Sequence, residues 1–167
     1  SQLRSRVRKA DFPYNRTIEQ FDFRRHPEIR KQVFHTYLDP NFIKDGRCVV
    51  LIGAPGLGKT HLAVAIGHHQ ILRGADVRFM RVQTLINRYS EADGPREREA
   101  LLRPLRKTGL LILDEFGYLP PDADAGPLLY DLLSSRYERG ATIITTNKSL
   151  NEWGKVLHDT ALASALL

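Results

Sequence analysis

Cysteine is nearly absent: Cys48 is the one thiol among 167 residues. One thiol excludes an internal disulfide and fits a reducing cytoplasm. Its place just ahead of an apolar run reads as ordinary packing. Long hydrophobic runs are missing as well. Nothing approaches the ~18 or more apolar residues of a membrane span. No apolar stretch follows the charged N-terminus, so a secretory leader is not expected. Acidic residues are outnumbered, 19 against 25 Lys+Arg, for a net charge of +6 and a pI near 9.7. A balance of that sign points toward nucleic acid.

The basic excess is concentrated. Residues 1–31 hold nine Lys and Arg, including Arg4, Arg6, Arg8 and Lys9, against four acids, a net of +5. The remainder is nearly balanced, at +1. The expected organisation is a basic N-terminal arm or linker over 1–31 and one core over 32–167. The 42% of hydrophobic residues suffices to bury such a core. Pro13 interrupts the arm, no apolar period is evident in residues 1–16, and Phe12 and Tyr14 sit among the charges. Those rings suit either stacking or docking on the domain. Residues 17–23 alternate as an extended segment would, and residues 27–38 read as a short helix.

What the chain does have is a glycine-rich loop in a telling place. Gly53-Ala54-Pro55-Gly56-Leu57-Gly58-Lys59-Thr60 follows the apolar run Val49-Val50-Leu51-Ile52 and precedes a helical segment that starts at His61. G-x-x-x-x-G-K-[ST] between a strand and a helix is a phosphate loop. Glycines let successive backbone N–H groups turn toward one anion, and the helix start adds about half a positive charge there. Lys59 can reach the β/γ-phosphates and the Thr60 hydroxyl can ligate Mg²⁺. The residues from Gly53 to His61 are therefore expected to cradle a nucleoside triphosphate.

Beyond the loop, Leu62, Ala63, Ile66 and either Ile71 or Leu72 keep helical spacing, with Gly74 as a C-cap. His61, His68 and His69 share that helix without an acidic or cysteine partner, and are read as polar-face residues rather than metal ligands. Residues 77–82 read as a second strand. Residues 83–107 read as two helical pieces broken at Gly94-Pro95. In the second piece Arg96, Arg98, Arg103, Arg106 and Lys107 face only Glu97 and Glu99, which suits either a solvated helix face or a DNA-facing surface.

Leu110-Leu111-Ile112-Leu113 then runs into Asp114-Glu115. Four consecutive apolar residues suit a strand covered on both faces, and carboxylates at its C-terminal end lie where open α/β sheets bind ligands. Asp114 is expected to hold Mg²⁺, directly or through water, and Glu115 to orient and deprotonate the attacking water. Residues 126–138 read as a helix closed by Gly140, and residues 141–146 as a fourth strand. Asn147 at its end can reach the γ-phosphate or the lytic water. Asn147-Lys148-Ser149 falls short of a guanine-recognition motif because Leu150 stands where its carboxylate belongs, so ATP is favoured over GTP. Strands alternating with helices predict a parallel α/β sheet of the P-loop NTPase kind. The final apolar run, residues 161–167, has no polar stop signal, so a fifth strand and any lid are expected beyond residue 167.

Thr17-Ile18-Glu19-Gln20-Phe21-Asp22-Phe23, the phosphate loop with His61-Leu62-Ala63, and Asp114-Glu115-Phe116-Gly117-Tyr118-Leu119-Pro120 together resemble the IstB family of insertion-sequence ATP-binding helpers. Arg136-Tyr137-Glu138-Arg139-Gly140, running on to Asn147 and Glu152-Trp153, carries the likeness furthest. The resemblance implies an AAA+ core related to the DnaC and DnaI helicase loaders. Its subunits would assemble head to tail on double-stranded DNA, with ATP between neighbours, and activate a transposase. It places Lys59 and Thr60 in Walker A, Asp114 and Glu115 in Walker B, and Asn147 as sensor 1. It also places an arginine finger past Leu167; within the chain, Arg136 and Arg139 stand as alternative candidates for that role. Other readings remain open: a replicative helicase loader, a P-loop small-molecule kinase, and a DNA-binding module with an inactive ATP site.

Overall fold

A computed structural model of the chain describes residues 1–25, 31–54, 58–117 and 125–149. Four strands form one parallel sheet: β1 (Cys48–Ile52), β2 (Val77–Arg81), β3 (Leu110–Asp114) and β4 (Ala141–Thr146). Their spatial order is β1-β4-β3-β2. Because side chains alternate across a strand, β3 and β4 divide their apolar residues between two cores. Leu110, Ile112, Ala141 and Ile143 face one, and Leu111, Leu113 and Ile144 the other. All six β4 residues are buried, as are all five of β3. That double coverage is why β3 reads as a near-continuous hydrophobic run and β4 as a run of Ala, Ile and Thr without a charge.

Helices fill both layers. On one face lie α1 (Gln2–Ala10), α3 (Asn41–Lys44) and α4 (Lys59–Leu72), with the helix α2 (Lys31–Thr36) supplying Phe34 to the same core. On the other lie α5 (Val82–Glu91), α6 (Gly94–Lys107) and α7 (Ala125–Arg136). Pro95 opens α6 where a missing N–H costs nothing. Among the described residues, no helix is long and apolar enough to cross a membrane.

The expected irregular arm begins instead with a helix. The Ser1 hydroxyl caps the amide of Arg4 at 3.3 Å. Val7 and Ala10 then lie on one face, where Ala10 is fully buried and Val7 packs into the α4 core. The intervening arginines hide this short stripe from a reading by composition. Residues 17–23 also depart from the extended form. They turn through a 3-10 helix, Ile18–Gln20, in which Gln20 accepts the Thr17 amide at 2.9 Å. A second 3-10 turn spans Phe23–Arg25. Cys48, expected as packing, is exposed.

Candidate functional site

The C-terminal end of β4, the turn that follows β3 and the first turn of α4 surround a cavity of about 580 Å³. Its lining includes Gly58, Lys59, Thr60, His61, Glu115 and Asn147. Gly58 precedes α4 with a φ of 80°, a left-handed conformation in which a side chain is strained. From the next position the Lys59 ammonium donates to the Gly53 and Ala54 carbonyls at 2.5 and 2.9 Å. Burial lowers the Lys59 pKa, while Asp114 and Glu115 oppose that shift. Pro55, Gly56 and Leu57 lie outside the described residues.

Asp114 closes β3 with no exposed surface. Its Oδ1 accepts from the Thr60 hydroxyl at 2.8 Å and from the Thr145 hydroxyl. Its Oδ2 is buried and has no hydrogen-bond partner. A bare carboxylate oxygen is costly to bury and is what a hard cation satisfies. Thr60 and Asp114 therefore fit a Mg²⁺ ion. No group of three or more His, Cys, Asp or Glu is placed to hold a metal ion among the described residues. Such an ion would draw its remaining ligands from phosphate oxygens and water, as Mg²⁺ commonly does.

Glu115 adopts a φ of 58°. The turn is held from β4: the Thr145 hydroxyl accepts the Glu115 amide at 2.9 Å, and the Thr145 carbonyl accepts the Phe116 amide at 2.8 Å. This swings the Glu115 carboxylate, 68% exposed, toward the cavity while Asp114 stays buried. Asn147 follows β4, and the preceding Thr146 hydroxyl is pinned between the Phe116 carbonyl and the Lys148 amide.

Three further residues belong to this arrangement. Thr145 looks like any β-branched strand residue until its register beside β3 is known. Arg81 ends β2 with Nε 4.0 Å from Asp114 Oδ2 and 3.9 Å from Glu115 Oε2. Tyr14 lines the same cavity, and its phenol pKa is raised by burial and then by Asp114. It is brought there by the return of the chain from α1, and Thr17 stays close to α4 through a 3.4 Å contact between its carbonyl and His61 Nε2. For Arg81 and Tyr14 the only sequence signal was a polar residue beside a strand end and an aromatic among charges.

Of the candidate DNA residues, Arg4, Arg8, Lys9, Arg96, Arg103 and Lys107 are exposed. Arg6 pairs with Asp76 at 3.4 Å, Arg106 pairs with Glu99, and Arg98 lies 4.7 Å from the Tyr89 ring centre. Arg136 cannot serve as an arginine finger. It is 1% exposed, and its guanidinium donates to the Leu105, Arg106, Thr108, Gly109 and Ala141 carbonyls and to the Thr142 hydroxyl. Burial pushes its pKa down to about 10, which leaves it charged at neutral pH.

Residues 1–167 match the family profile described as IstB-like ATP binding protein. A protein of Pseudomonas aeruginosa, named as an ATP-binding protein of insertion sequence IS21, is 38% identical over 99% of this chain and 62% of its own length. A protein of Geobacillus stearothermophilus, similarly named for insertion sequence IS5376, is 36% identical over 99% of this chain and 66% of its own. The chain thus spans a little under two thirds of these relatives. Among solved structures, AMPPCP-bound DnaA from Aquifex aeolicus superposes with a TM-score of 0.78 at 18% identity, covering 93% of this chain and 48% of that one. At that identity the likeness speaks for the fold alone, a parallel sheet with helices on both faces.

Proposed function

Because the chain belongs to the family of IstB-like ATP-binding proteins, we propose that it binds ATP with Mg²⁺ and hydrolyses it, assembled head to tail on double-stranded DNA as a transposase helper. The observation that carries the nucleotide reading is the buried Oδ2 of Asp114, which accepts no hydrogen bond, beside the Thr60 hydroxyl. That pair sits next to a cavity which Lys59, Glu115 and Asn147 also reach. The insertion-sequence names of the relatives support the transposition setting.

In this reading Thr60 and Asp114 hold the ion, and Mg²⁺ supplies positive charge against the triphosphate oxygens. Lys59 exchanges the Gly53 and Ala54 carbonyls for the β/γ-phosphates. Glu115 takes a proton from water as the water oxygen bonds to the γ-phosphorus and the bond to the β–γ bridging oxygen breaks. ADP and phosphate leave. Asn147 orients that water. Little covalent chemistry falls to the protein, so positioning and charge carry the rate. A neighbouring subunit would add an arginine finger, worth ~10³–10⁵ in turnover.

Phosphate release from ATP without any added acceptor, measured with and without duplex DNA beside the assembly state, tests the proposal. Stimulation by duplex DNA together with a rise in mass supports it. Release only on adding a small-molecule acceptor would make the protein a kinase, and ATP binding without release would leave a binding module.

A further inference from the structure

We propose that the groove between the end of α1, the start of β2 and the last turn of α6 is a docking surface for the sugar-phosphate backbone of duplex DNA. This deepens the DNA reading above and rests on it. Arg6, Lys9, Arg78 and Lys107 line a groove of about 160 Å³ with one carboxylate, Asp76, among them. Arg6 already pairs with that carboxylate at 3.4 Å, and Asp76 is itself 71% exposed. Three cations are left without an acid in the groove. They come from three segments far apart in sequence, so Arg78, part of a strand by any local reading, joins the basic set only in the folded chain.

The floor is fixed. The Thr108 hydroxyl and the Leu110 amide both donate to the Asp76 carbonyl, each at 3.0 Å. Val77 and Thr108 are buried beneath the cations. Arg6 and Lys9 sit one turn apart on α1, and Arg103 precedes Lys107 by one turn on α6, extending the positive row along that helix. No aromatic side chain lines the groove. The surface therefore offers charge at set spacing and no platform for unstacked bases, which suits duplex phosphates over a single strand. It lies where β2 and β3 begin, at the opposite end of the sheet from Asp114.

The test is anisotropy of a labelled duplex titrated with the chain in ATP and Mg²⁺ across a salt series. Each lost phosphate contact should flatten the log K against log salt slope by about 0.9. The double variant Arg78→Gln/Lys107→Gln is expected to flatten it by about 1.8. Lys107→Gln alone, at an exposed helix position, should give about half of that change, and Arg78→Lys should keep the wild-type slope. ATP binding reports that each variant is folded. Wild-type duplex binding with an unchanged slope in both glutamine variants overturns the groove and leaves the DNA reading standing. Tighter binding of the matching single strand overturns the choice of duplex. Failure of the wild type to bind any DNA with ATP present overturns the DNA reading itself.

Discussion

The Thr145 hydroxyl donates to Asp114 Oδ1 while accepting the Glu115 amide at 2.9 Å. One side chain of β4 thus fixes both consecutive carboxylates of β3: the buried one by its acid group, the exposed one by its backbone. Thr145→Val keeps the shape of the strand and removes both bonds. We expect turnover or Mg²⁺ affinity to fall about 10–100-fold, as for other residues that orient metal ligands. ATP binding measured in EDTA should barely move, and Thr145→Ser should restore the rate. Equal Mg²⁺ dependence in Val and wild type would reduce Thr145 to strand packing.

Lys59 and Glu115 separate binding from turnover. Lys59→Ala is expected to abolish nucleotide binding, because no other ammonium reaches the Gly53 and Ala54 carbonyls in the described site. Glu115→Gln keeps the left-handed turn and the amide bond to Thr145 but cannot take a proton. It should bind ATP and hold the ATP-bound assembly without releasing phosphate. Wild-type turnover in Glu115→Gln would remove Glu115 from the reaction.

The parallel sheet and the phosphate loop were legible in the sequence because each rests on a local pattern. Val49–Ile52, Leu110–Leu113 and residues 141–146 are runs of apolar or β-branched residues, and glycine spacing marks the loop between β1 and α4. What escaped was set by register or by packing across the chain. Ile144 partners Leu113, so Thr145 reaches Asp114 only once those strands pair. α1 is a helix because Ala10 and Val7 find a core elsewhere in the molecule, which no window of its own arginines reveals. Arg136 and Arg81 read alike as cations, yet one is sealed among carbonyls and the other faces the site.

In the proposed reading, Arg81 and a divalent cation would compete for the same oxygen. The Nε of Arg81 is the nearest positive group to Asp114 Oδ2 among the ion pairs described, at 4.0 Å, and it also approaches Glu115. Arg81→Gln removes that cation and leaves two adjacent carboxylates to repel each other until a metal arrives. We therefore expect a lower melting temperature in EDTA, a larger rise on adding Mg²⁺, and half-saturation of ATP binding at several-fold lower Mg²⁺. A melting temperature in EDTA and a Mg²⁺ response both equal to wild type would show that Arg81 serves neither carboxylate.

Arg136 is expected to matter for folding and not for turnover. Its guanidinium gathers five backbone carbonyls from the last turn of α6, the α6–β3 connection and the first residue of β4, and no carboxylate pairs with it among the described residues. Gly140 follows from the same packing: a Cβ there would fall 2.7 Å from Arg136 Nη2 and 3.0 Å from the Thr108 carbonyl. Arg136→Met leaves several buried carbonyls without donors and should cost roughly 3 kcal/mol or more in urea unfolding. Arg136→Lys should recover only part of this, since a single ammonium cannot reproduce the planar fork. Because Arg136 sits at the end of the sheet where β4 begins, ATP affinity of the folded fraction should stay at the wild-type value. The opposite pattern, normal stability with lost turnover, would mean that the side chain leaves its carbonyls to act at a nucleotide.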